Sequence, residues 1–192
     1  MIDKNLLAAA LAGAALSVGA QERAIVKQVQ VSASPESVWQ AWTTRDGIRS
    51  FFAPDARIEA RVDGPFEVYF NPYARAGLKG ADNMRFLALQ DRKMLSFTWN
   101  SPPHLGEVRG QRTYVTVRLK PVGAQATDVS LYHGGWGDGG QWDQSYQYFD
   151  KAWDHVLGNL QKRFAEKPVD WTEFLARVKA WQDEQDKAAG AK

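Results

Sequence analysis

Cysteine is absent from the 192-residue chain, which excludes disulfides, thiolate metal sites and a cysteine nucleophile. Histidine is scarce: His104, His133 and His155 stand far apart, with no H-x-H or H-E-x-x-H spacing to gather a zinc ion. Charge of one sign is lacking too. The formal net charge is +2 and the cations are interspersed, so no nucleic-acid partner is expected. No Gly-Lys-Ser/Thr phosphate loop and no G-x-S-x-G nucleophile motif occurs. No cofactor or metal is expected from these residues. Long apolar runs are also missing: a stable membrane span takes about 20 residues, and Leu6–Val18 supplies thirteen.

What the chain does have is aromatic mass: eight Trp, nine Phe and six Tyr. Rings bring much apolar area on few rotatable bonds, which suits either a core or a ligand cavity. The first residues differ in composition from the rest. Lys4 precedes the apolar run, and Val18-Gly19-Ala20 resembles a small-residue cleavage site. We therefore expect residues 1–20 to be a signal peptide, cut near Ala20, with release to the periplasm or medium. A domain over 21–165 and a helical extension over 166–192 follow from the patterning below.

Ile25–Val31 alternates as a strand, and Ser34-Pro35 opens a helix carrying Val38, Trp39 and Trp42 on one face. A second short helix is expected over Asp46–Phe52. Strands are then expected at Arg57–Val62, Phe66–Phe70, Met84–Leu89, Leu95–Trp99, Thr113–Lys120 and Thr127–His133, separated by turn or loop signals. Strands in succession without helices between them make an antiparallel meander. After Gly139-Gly140 the period changes: Trp142, Tyr146, Phe149, Trp153, Val156 and Leu160 form the stripe of one helix about 36 Å long. Asp143, Asp150 and Asp154 fall on its polar face and read as solvated charges. A last helix begins at Asp170, with Asp170 and Glu173 as a capping-box-like pair and Trp171, Phe174, Leu175, Val178 and Trp181 as its stripe. That stripe must be covered by the outer face of the sheet, by the pocket mouth or by a partner chain.

The order of elements is that of an α+β helix-grip fold: a curved antiparallel sheet of about six or seven strands around a long C-terminal helix, plus an extra C-terminal helix. Ser34–Thr43, Gly64-Pro65-Phe66, Leu95–Trp99 and Gly135-Trp136 together resemble the SRPBCC (START/Bet v 1-like) superfamily. Within it they are similar to the branch named after the Hsp90 ATPase activator C-terminal domain. The resemblance spans about residues 24–165. It implies an apolar cavity between sheet and helix, and in some branches cyclase or aromatase activity.

Gly135–Gly140 formally satisfies G-x-G-x-x-G, but no parallel strand follows the next helix, so it reads as a flexible connection. His133 shares its phase with Val129 and Leu131. It is either a group at the cavity mouth or a hydrogen-bonded histidine at the sheet end. The strand phases and the facing helix nominate Phe66, Val68, Phe70, Phe97, Trp99, Val117, His133, Trp136, Tyr146, Phe149 and Trp153 as the ligand-binding set. Arg75 and Lys79, in the loop 71–80, are either placed to attract an anionic head group or simply solvated loop cations. The partner expected is a small hydrophobic molecule, bound without catalysis by a carrier or sensor. The rivals are a cyclase- or hydrolase-like enzyme using the same cavity, and a protein-binding module if the chain is not exported.

Overall fold

The computed structural model describes residues 22–190, so the expected signal peptide and its cleavage point lie outside the described residues. Strand β1 (Ile25–Val31) leads into α1 (Pro35–Thr43), where the Ser34 hydroxyl accepts from Ser37 N at 3.2 Å and Pro35 occupies the first turn. Thr44 ends α1 and caps α2 (Arg45–Arg49) by accepting from Gly47 N. The expected helix over Asp46–Phe52 stops early, because the amides of Ser50, Phe51 and Phe52 fold back in a turn onto Gly47 and Ile48 carbonyls.

The meander follows as β2 (Asp55–Ile58), β3 (Phe66–Tyr69), β4 (Gly80–Ala81), β5 (Phe86–Gln90), β6 (Met94–Trp99), a short α3 (Gly106–Arg109), β7 (Thr113–Gly123) and β8 (Ala126–Gly134). These pair as a five-stranded sheet, β1-β8-β7-β6-β5, and a three-stranded one, β2-β3-β4, all antiparallel. Phe66 N to Met84 O and Phe86 N to Gly64 O, both 2.9 Å, stitch the two together. β2 begins and ends earlier than its hydropathy suggests, since Glu59–Asp63 is taken up by a tight turn with Asp63 at φ 60°. The two-residue β4 and the single-turn α3 carry no periodicity long enough to read.

Helix α4 (Gly140–Ala165) runs unbroken, as its stripe predicts. Gly139 and Gly140 take φ of 73° and 49°, values that side chains resist, and so turn the chain from sheet edge into helix. Phe149, Trp153, Val156, Leu157 and Leu160 of α4 join Val115, Val117, Val129 and Leu131 of the sheet in one buried cluster. The polar face differs from expectation in one respect. Asp143 pairs with Arg23, just before β1, at 2.6 Å, and Asp150 and Asp154 both reach Lys27 of β1 at 2.9 Å, so these exposed carboxylates are paired rather than standing alone. Exposed pairs of this kind contribute little each, about 0–1 kcal/mol.

Helix α5 (Thr172–Gly190) completes the chain and buries none of its residues fully. Asp170 accepts from Thr172 N at 2.9 Å, and hydrogen bonding from the Thr172 side chain, with this amide bond, holds the Asp170 carboxyl below its ordinary value. Two bonds dock the start of α5 on α2 and the residue after it: Val169 N to Ser50 O and Trp171 Nε1 to Arg49 O, 2.9 and 2.6 Å.

Candidate functional site

The space between sheet and α4 is occupied by the protein's own rings. Phe66 stacks on Phe97 at 3.9 Å between centroids, and Trp99 sits 5.7 Å from Trp153 and 5.8 Å from Phe52. Phe66, Val68, Phe97, Val117, His133 and Trp153 are all buried here. They form the packed floor of the domain. This departs from the expected cavity between sheet and helix, and the reason is steric: bulky rings nominated from both sides meet and interdigitate, as interiors at normal density do.

His133 lies at the centre of that floor. The Trp153 indole N–H, which can only donate, points at His133 Nδ1 at 2.9 Å. Nδ1 is therefore bare and the ring proton sits on Nε2, where it is donated to Thr113 Oγ1 at 2.8 Å. The Thr113 hydroxyl in turn donates to the Trp99 carbonyl, and the His133 carbonyl accepts from Trp136 Nε1. Burial lowers the His133 pKa from 6.5 to about 3, so the ring stays neutral across the physiological range. An unfolded chain would take a proton near pH 6.5, whereas the folded one resists it. Stability is therefore full above pH 6.5 and is lost as the pH falls from there toward 3. The expected loss is about 1.4 kcal/mol per pH unit. Denaturant melts at pH 7, 6 and 5 check this, and in His133→Gln, which can both accept and donate here, the slope over that window should flatten.

An open cleft of about 720 Å³ lies at the edge of this floor. Trp99 and Phe149 form its base, and Phe70 and Leu78 form one side with the loop 71–80. The segment Asn100–His104 and Tyr148 form another side, and α5 lies across it with Trp181, Gln182 and Gln185. Of the expected ligand-binding set, the cleft gathers Phe70, Trp99 and Phe149. Trp136 and Tyr146 stand apart from it: the Tyr146 hydroxyl donates to Ala24 O at 3.1 Å, and its ring carries the Arg23 guanidinium at 4.8 Å. His104, at the rim, lies 6.3 Å from the Tyr148 ring, while His155 is exposed on α4.

Two walls of the cleft are fixed by one side chain. The Arg109 guanidinium, from α3, donates to the carbonyls of Ser101, Gly77 (2.7 Å) and Gly80 (2.8 Å), and Asp82 sits at 3.5 Å. The Asp82 carboxylate accepts from Gly77 N and Gly80 N, both 2.9 Å. Carbonyls and carboxylate thus form a cage around a largely buried cation, whose burial lowers its pKa. Ser101 and Ser145 share a 2.8 Å bond that ties the same wall to α4. On the far side the Asn71 side-chain amide donates to Gln182 Oε1 at 2.8 Å, latching α5 to the loop.

Arg109, Leu78, Tyr148 and the Asn100–His104 segment escape sequence reasoning. Arg109 sits in a four-residue helix without periodicity, and Tyr148 is off the apolar stripe of α4. Only the Pro102-Pro103 pair signals that the chain must run irregularly there. Of the expected α5 stripe, Trp181 alone lines the cleft, and it stays 55% exposed.

Fold and cleft together define a helix-grip domain with a filled centre and an aromatic-lined opening at its edge. Residues 32–165 match the family model described as activator of Hsp90 ATPase homolog 1-like protein, and the chain belongs to that family. Among solved structures, the chain resembles the protein MLL2253 of Mesorhizobium loti, at 22% identity and TM-score 0.61, over 77% of this chain and all of that one. It resembles the Aha1 dimer of Colwellia psychrerythraea at 22% identity and TM-score 0.59, over 76% and 98%. An Hsp90 activator from Plasmodium falciparum, PFC0360w, matches at 16% identity and TM-score 0.55, over 71% and 92%. At these identities the likeness is one of fold. No curated protein matches the sequence. Helix α5, which contributes to the lining of the cleft, lies outside the matched residues 32–165. Among the described residues, no helix is long and apolar enough to cross a membrane, and no cluster of three or more metal-ligating side chains occurs.

Proposed function

We propose that this chain is a non-catalytic carrier or sensor that binds a small apolar or aromatic molecule in the edge cleft, and that it acts after export. The observation that carries the reading is a cleft of about 720 Å³, lined by rings from both the domain and α5. That size lies within the range of small-molecule sites, roughly 300–1,000 Å³, and its mostly apolar lining with a few polar groups suits such a ligand. Phe70 is 36% exposed and Trp181 55% exposed, apolar area that an occupant would remove from water.

The test uses N-phenyl-1-naphthylamine, a neutral aromatic dye, with native mass spectrometry of the purified full chain. Saturable binding of one dye per chain is expected, weakened about three- to tenfold in Trp181→Ala, which removes one aromatic wall. A clean ligand-free mass together with no dye binding would end the carrier reading. The mass also reports whether residues 1–20 have been removed. Their retention would shift the balance to a protein-binding role, the one that the Plasmodium structure's description as an Hsp90 activator suggests.

A further inference from the structure

The charge distribution around the cleft narrows the class of occupant. Three charged side chains line it: Arg75 and Lys79 on the loop 71–80, and Asp186 on α5. Asp186 accepts from the Gln182 side-chain amide at 2.8 Å. Ion pairs among the described residues leave Arg75 and Lys79 out. The Lys79 ammonium instead rests over the Tyr69 ring, 5.3 Å from its centroid. The neighbouring Asp82 is spent on Gly77 N, Gly80 N and Arg109, and it does not line the cleft.

The loop bearing the two cations is held in place. Asn71 N bonds Lys79 O, Leu78 N bonds Arg75 O, and Arg109 grips the carbonyls of Gly77 and Gly80. The loop backbone is thus fixed beside the cleft, and an occupant has to order only the two side chains. Beside a low-dielectric aromatic wall the field of two cations is screened less than in open water.

We propose that the occupant is an aromatic anion, with its ring among Trp99, Phe149 and Trp181 and its acidic group toward Arg75 and Lys79. This rests on the binding reading above and adds a charge requirement to it. The test compares 1-anilinonaphthalene-8-sulfonate with N-phenyl-1-naphthylamine, which keeps the same rings and lacks the sulfonate, on the full chain. The sulfonate dye should bind more tightly. In Arg75→Gln/Lys79→Gln it should weaken about five- to tenfold while the neutral dye stays within about twofold. Raising salt from about 0.05 to 0.5 M should weaken the sulfonate dye alone in the unmutated protein, a readout that needs no variant to fold. Trp181→Ala should weaken both dyes alike. Equal affinity of the two dyes, or no response of the sulfonate dye to salt or to the double variant, would overturn the anion requirement while leaving the cleft as a binding site. Failure of both dyes to bind the unmutated protein would remove the binding reading and this inference together.

Discussion

Trp153→Ala is expected to lower the stability of the domain by about 3–5 kcal/mol, the usual range for deleting a buried ring. Two losses add. The indole is 1% exposed and touches Phe52, Trp99, Phe149 and His133, so its removal leaves a void that stiff neighbours cannot close. It also strands His133 Nδ1, which has the Trp153 N–H as its donor. An unpaired buried acceptor costs about 1–3 kcal/mol. Trp153→Phe keeps most of the volume and separates the two, so it should cost only the second amount. Denaturant melts of both variants at pH 7 check the partition: a Trp153→Phe variant as stable as the unmutated protein would mean that the hydrogen bond contributes nothing, and equal losses in the two variants that the void contributes nothing.

The second large effect is expected at Arg109. Arg109→Ala should cost about 3 kcal/mol, because charge-assisted bonds to three carbonyls disappear and Asp82 is left buried without its cation. Its distinctive consequence is functional. With the clamp gone, the loop 71–80 and the Asn100–His104 wall are no longer fixed to one another, and dye binding should fall more than in any single wall variant. Arg109→Lys keeps the charge but offers a compact ammonium instead of a planar fork, so it should recover stability better than binding. Melting curves read alongside N-phenyl-1-naphthylamine titrations would show this split. If Arg109→Ala melts earlier but binds dye normally below its transition, the loop holds its shape by other means.

The contrast between the two residues shows how much the sequence reveals. Trp153 announces itself through the three-and-four spacing of Trp142, Tyr146, Phe149, Trp153, Val156 and Leu160, and α4 runs as that spacing requires. The strand alternations from Ile25 to His133 likewise place Val115, Val117, Val129 and Leu131 on the inner face. Phase alone cannot tell whether inward rings leave a hollow. That depends on how closely the rings meet, the 3.9 Å stack of Phe66 on Phe97 for instance, which has no sequence signature. His133 illustrates the same limit: its phase puts it inside, but its partners Thr113 and Trp153 lie twenty residues away on either side. The cleft is less legible still, because its walls are irregular segments held by Arg109 from a single helical turn. Of its α5 side, only Trp181 stands out in the sequence, as part of an apolar stripe with no evident cover.

The most direct test of the account follows the indole and backbone amide signals of the full chain by two-dimensional NMR as N-phenyl-1-naphthylamine is added. The dye should shift Trp181, Trp99 and the amides of residues 71–80, and leave Trp42 and the Phe66–Phe97 stack unmoved. Shifts centred on Phe66, Phe97 and Trp153 instead would mean that the packed floor opens to admit the ligand, and the edge cleft would lose its role.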